Sequence, residues 1–75
     1  MQRFGEKLRT LRTQRGMTVR DLAQELGYAN SGYISQLENG KREPTVKFVM
    51  KVAQLFNVTT DQLLRDDLEV DTGEV

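Results

Sequence analysis

The chain contains no cysteine and no histidine. Those two absences remove disulfides, thiol nucleophiles, imidazole bases and most zinc sites together. No Asp/Glu spacing of the EF-hand kind takes their place, so neither a metal site nor a cofactor is expected. Proline occurs once, at Pro44. No apolar run is long enough for a signal peptide or a membrane span, which points to a cytoplasmic protein with no membrane partner. Without His or Cys an enzyme would need a carboxylate pair in a cleft. Seventy-five residues leave little room for one, and no catalytic residue is expected. That length makes one domain, near the lower size at which a core is stable unaided.

Net charge is zero, which at first argues against a polyanionic partner. Its distribution reverses that reading. Residues 1–60 hold ten Lys/Arg and five Asp/Glu, whereas residues 61–75 hold one Arg and six acids. The body of the chain is basic, and an acidic tail makes the total neutral.

Along the chain, apolar periodicity predicts five short helices and no strand, an all-α fold. Phe4, Leu8 and Leu11 give the first helix, Arg3 to Arg15, one apolar stripe, with Arg3, Lys7, Arg9, Arg12 and Arg15 on its other faces and Gly16 as its stop. Thr18 reads as an N-cap with Asp21 three residues on. Val19, Leu22, Ala23 and Leu26 then recur at helical spacing until Gly27. After a sharp turn, Asn30 or Ser31 caps a third helix ending near Asn39. Thr45 caps a fourth, whose apolar face is read as Val46, Val49, Met50, Val52, Ala53 and Phe56, with Met17 and Met50 as core. Thr59 and Gln62 form a capping box for a fifth helix carrying Leu63 and Leu64. From Asp66 the chain is acidic and poorly patterned, and fraying is expected there unless Leu68 and Val70 dock on a neighbour.

On a helical wheel Ile34 and Leu37 of the third helix point inward, while Gly32, Ser35, Gln36 and Asn39 point outward and Tyr33 lies on the flank. That outward face is small, polar and uncharged, where an ordinary solvated face would carry Lys and Glu. Gln can contact the N6/N7 edge of adenine, and Ser can bond either base type. Glu38 falls within about 40° of Ile34, on the inward side. A buried carboxylate needs a partner; the first helix offers Arg12 and Arg15 beside its stripe, and Arg12 is the one expected.

These residues resemble a known family. Leu22-Ala23, Gly27, Ile34-Ser35, Leu37-Glu38-Asn39-Gly40-Lys41-Arg42 and Pro44 look like the signature of lambda-repressor-like regulators, the XRE or Cro/repressor family, over Phe4 to about Leu64. The resemblance implies a five-helix DNA-binding domain at residues 1–65 with a helix-turn-helix at helices 2 and 3. An acidic tail at 66–75 follows, frayed or used in dimer or partner contact. It also implies a bacterial or phage-encoded, nucleoid-associated protein that binds double-stranded DNA, commonly as a homodimer on a palindromic operator. Ser31 to Asn39 would be the helix that enters the major groove, with base contacts from Gln36, Ser35, Ser31, Asn30 and Tyr33. Phosphate contacts fall by resemblance on Asn39, Lys41 and Thr45, with Thr18, Arg20, Arg42 and Lys47 added on position and charge. The family's arginine–glutamate pair falls on Arg12 and Glu38. Two places depart from the pattern. Val19 stands where a phosphate-binding Gln is common, and the turn Tyr28-Ala29-Asn30-Ser31 is one residue longer than the commonest form. The functional expectation is a sequence-specific transcriptional regulator, a repressor acting by steric exclusion. An antitoxin or protein-binding adaptor of the same fold is the alternative.

Overall fold

The computed structural model describes residues 3–70, and residues 71–75 of the acidic tail lie outside them. Five helices follow in order: α1 (Phe4–Gln14), α2 (Val19–Leu26), α3 (Gly32–Glu38), α4 (Val46–Phe56) and α5 (Thr60–Leu64). No strand occurs among the described residues. Local chemistry sets the boundaries. Thr18 Oγ1 accepts from the Asp21 amide at 3.0 Å while Asp21 Oδ2 accepts from the Thr18 amide at 2.9 Å, a closed capping box. Thr59 and Gln62 repeat the device at α5. At α3 the N-cap position is Ser31, but its hydroxyl makes no cap bond. Asn30 Oδ1 accepts instead from the Gly32 amide at 2.9 Å.

Helix α3 ends sharply because Gly40 takes a left-handed backbone, φ 75°. The Gly40 amide then donates to the Leu37 carbonyl at 3.2 Å and the Lys41 amide to the Gln36 carbonyl at 2.8 Å. This paired closure folds Lys41 and Arg42 back beside the helix they follow.

The core joins Phe4, Leu8 and Leu11 of α1, Leu22 and Leu26 of α2, Ile34 and Leu37 of α3, and Phe48, Val52 and Phe56 of α4. Phe48 is its hub, fully buried, with the rings of Tyr33, Tyr28 and Phe4 at 5.2, 5.8 and 6.2 Å. The expected α4 face needs correcting here. It omitted Phe48 and included Val46 and Met50, which are 77% and 56% exposed. The buried stripe runs through Phe48, Val49, Val52 and Phe56, and Met50 lies about 100° round the helix from Val49. Met17 is half-buried and packs against the core.

Lys7 also corrects an expectation. It is buried at 1% exposure rather than outward, and its ammonium donates to the carbonyls of Gln62, at 2.6 Å, and Arg65. Those carbonyls lie at the end of α5, which has too few turns to satisfy them itself. The acidic segment likewise does not leave the domain at Asp66. Arg3 donates to both Glu69 oxygens at 3.0 Å and to the Asp66 carbonyl at 2.9 Å. Gln62 donates to the Glu69 carbonyl at 3.2 Å, and Val70 is buried. The Arg3 guanidinium holds the Glu69 carboxyl below the usual carboxylate range.

Where α1 meets α3 the two backbones nearly touch. A Cβ on Gly5 would lie 2.4 Å from the Leu37 carbonyl oxygen and 2.8 Å from that of Glu38. Helix propensity favours alanine over glycine by about 1 kcal/mol, but neither carbonyl can move without its helix. Gly5→Ala is therefore expected to destabilise the domain by about 1–3 kcal/mol, the range for overpacking, as a lower urea midpoint. A raised midpoint would contradict the close approach.

Candidate nucleic-acid interface

Behind α3 sits an ionic brace. The Glu38 side chain is 2% exposed. Its Oε2 accepts from Arg12 Nε at 2.7 Å and its Oε1 from Arg12 Nη2 at 3.0 Å, a two-pronged pair. Arg12 Nη1 donates to the Met17 carbonyl at 2.8 Å. One guanidinium thus ties α1, the start of the α2 segment and the end of α3 together, and its bond to Glu38 raises its pKa above the ordinary value. Arg9 was not anticipated in this cluster. Its Nε donates to Glu38 Oε1 at 3.3 Å and its Nη2 to Asn39 Oδ1 at 3.5 Å. It lies one turn before Arg12, so the spacing that singled out Arg12 also reaches Arg9.

In front, the structure leaves α3 open. Gln36 is exposed, Ser35 and Ser31 are half-buried, and Ile34 and Leu37 face the core. Gln36 Oε1 accepts from Arg42 Nη1 at 3.4 Å. Tyr33 faces two ways. Its ring packs edge-on against Phe48 and 5.5 Å from Tyr28, its hydroxyl accepts from the Thr45 amide at 3.4 Å, and the Arg42 guanidinium lies 5.3 Å from its centroid. This ring closes the core's edge, and only its flank remains for a partner. Burial also pushes the Tyr28 hydroxyl's pKa up.

Arg20, Asn30 and Ser31 line one cleft of about 250 Å³ with Ala23, Gln24, Tyr28 and Ala29 at the helix-turn-helix bend. The side chains of Thr18 and Thr45 cap α2 and α4, so each hydroxyl oxygen accepts from its own helix and its proton is still free to be donated outward. Lys41 and Lys47 are exposed, and among the described residues no side-chain hydrogen bond or ion pair ties Lys47 to the others. Val19 packs against the core.

Two short helices joined by a tight bend, the second presenting a polar face from a braced seat, define a helix-turn-helix domain. Comparison with known proteins agrees. The helix-turn-helix family HTH_3 matches residues 8–63, and the chain belongs to that family, in its XRE form. It is 39% identical over 62 residues to YonR, a prophage-derived uncharacterized HTH-type transcriptional regulator of Bacillus subtilis, covering 83% of this chain and 56% of that one. It is 40% identical over 65 residues to the HTH-type transcriptional repressor RghR of the same organism, covering 85% and 47%. The N-terminal DNA-binding domain of Bacillus subtilis SinR superposes with TM-score 0.80 at 26% identity, covering 92% of this chain and all of that one. SinR in complex with DNA superposes with TM-score 0.73 at 27% identity, covering 81% and 97%. The chain spans about half the length of these two curated relatives. The family is one of transcription-factor domains, not enzymes. No helix among the described residues is long and apolar enough to cross a membrane.

Proposed function

We propose that this chain is a sequence-specific regulator of transcription that places α3 in the major groove of double-stranded DNA. The observation that carries this reading is the exposed polar edge of α3, with Gln36 at its centre, seated by a buried Arg12–Glu38 pair. Gln36 and Ser35 meet base edges, with Ser31 and Asn30 at the helix start and Tyr33 by its flank. Asn39, Lys41, Thr45, Thr18, Arg20, Arg42 and Lys47 meet phosphates, which fix register without specifying sequence. Affinity falls steeply with salt, because displaced counterions drive binding.

The experiment is selection of bound duplexes from a random pool, followed by affinities of two variants for the selected site. Gln36→Ala is expected to lose about 1–3 kcal/mol on particular base pairs. Lys41→Ala is expected to weaken every sequence alike and to flatten the salt dependence. Equal losses on all sequences for both variants would contradict the division of roles.

A seven-residue α3 reads few base pairs, and specificity then calls for two copies on a palindrome with half-sites about 34–36 Å apart. Of the apolar residues from Leu63 to Val70, the stretch expected to carry such a dimer, Leu63 and Val70 are buried in the chain's own core, whereas Leu64 is only partly buried. A surface that includes Leu64 supports the dimer. Pro44, Val46, Val49, Met50, Thr60 and Leu64 line a groove of about 410 Å³ without a charge among them, so two identical copies can meet there without like-charge repulsion. Met50→Lys is expected to give a monomer in sedimentation and to weaken binding to the full palindrome more than to a half-site. An unchanged mass for a dimeric parent would contradict that surface. Bound over a promoter, such a dimer would exclude polymerase.

The adaptor or antitoxin alternative relied on the acidic tail. Up to Val70 that tail already contacts this chain, since Arg3 holds the Glu69 carboxylate, Gln62 holds the Glu69 carbonyl and Val70 is buried, which favours the DNA-binding reading.

A further inference from the structure

Arg42 lies outside α3, in the segment that Gly40 turns back along it, and is grouped above with the phosphate-binding bases on charge alone. Its geometry is more specific. The guanidinium carbon sits 5.3 Å from the centroid of the Tyr33 ring, and Nη1 donates to Gln36 Oε1 at 3.4 Å. The ring is itself fixed, edge-on against the buried Phe48 and with its hydroxyl on the Thr45 amide. A chain of contacts therefore runs from the core through Tyr33 and Arg42 to the tip of Gln36.

We infer that Arg42 is a positioning residue for base reading: it holds the Gln36 carboxamide by its oxygen and so presents the amide NH2 to the DNA. An unrestrained glutamine amide rotates and offers donor or acceptor with similar ease. With the oxygen turned toward a guanidinium, the outward group is a donor, and its partner must be an acceptor on the major-groove edge. Purine N7, guanine O6 and thymine O4 fit this requirement, and the N4 amino donor of cytosine opposes it. Gln36 then selects against cytosine. Planarity and ring stacking suit arginine to the task, and a lysine would keep the charge without the fork.

This inference rests on α3 reading DNA, and the test separates the two. Wild type, Arg42→Lys, Gln36→Ala and the double variant are each subjected to selection from a random duplex pool, with affinities then measured on the wild-type site and on the same site carrying cytosine at the position Gln36 reads. Circular dichroism checks that each variant is folded. Wild type is expected to exclude cytosine at one position of each half-site. Arg42→Lys is expected to lose roughly tenfold in discrimination at that same position, with its salt dependence unchanged. The double variant should discriminate no worse than Gln36→Ala alone, since both substitutions remove one device. Undiminished discrimination against cytosine in Arg42→Lys, or losses that multiply in the double variant, would overturn the positioning role while leaving the DNA reading intact. A wild-type chain that enriches no sequence would overturn both.

Discussion

Phe48→Ala is expected to lower the stability of the domain by about 3–5 kcal/mol, the range for emptying a buried aromatic site. The phenyl ring has no solvent exposure and touches rings contributed by α1, the helix-turn-helix bend and α3. Domains of this kind are stable by about 5–15 kcal/mol in total, so a small one losing that much would be largely unfolded near physiological temperature. Because Tyr33 leans on Phe48, the part still folded should also bind DNA more weakly. Urea unfolding followed by circular dichroism measures the first effect. A loss below about 1 kcal/mol would mean that the cavity collapses freely, unlike a close-packed core.

The second large effect falls on the brace. Removing one partner of a buried ion pair leaves the other charge without compensation, at about 3–5 kcal/mol. In this chain the Arg12 side chain is 14% exposed and the Glu38 side chain 2% exposed, and Arg9 keeps one bond to the carboxylate. Arg12→Ala is therefore expected at or somewhat below the lower end, about 2–4 kcal/mol. Replacing both partners with methionine should be milder than the single truncation, because no charge is then stranded. Folding stability and affinity for a selected duplex should fall together in Arg12→Ala, since the same guanidinium seats the end of α3. Equal stability of Arg12→Ala and the parent would show that the carboxylate does not need its partner.

Much of this arrangement is legible in the chain itself. Thr18, Thr45 and Thr59 mark helix starts by capping chemistry that acts over three residues, and the inward position of Glu38 follows from a count around the helix. Lys7 shows how the same count can be overruled by residue type. It lies three residues after Phe4 and four before Leu11, on the apolar stripe, yet its charge suggests an outer face. Its ammonium reaches carbonyls that only become available when α5 arrives more than fifty residues later. Phe48 was missed for a related reason. A face drawn through Val46 and Met50 is as regular as the true one, and only the aromatic side chains of other elements favour Phe48. The contacts of Arg42 with Gln36 and Tyr33 depend on where a glycine-ended helix sends the following chain. Residue spacing carries no record of that direction.

Whether the outward side of α3 meets DNA while the groove lined by Val46, Met50 and Leu64 does not is open to direct measurement. The most direct measurement is an NMR titration of the nitrogen-15-labelled chain with a duplex selected from a random pool. The expected result is a contiguous set of shifted amides from Gly32 to Lys41, joined by the first turns of α2 and α4, together with a shifted Gln36 side-chain amide. Shifts confined to the exposed apolar residues of α4 and α5, with Ser35 and Gln36 unmoved, would contradict the account.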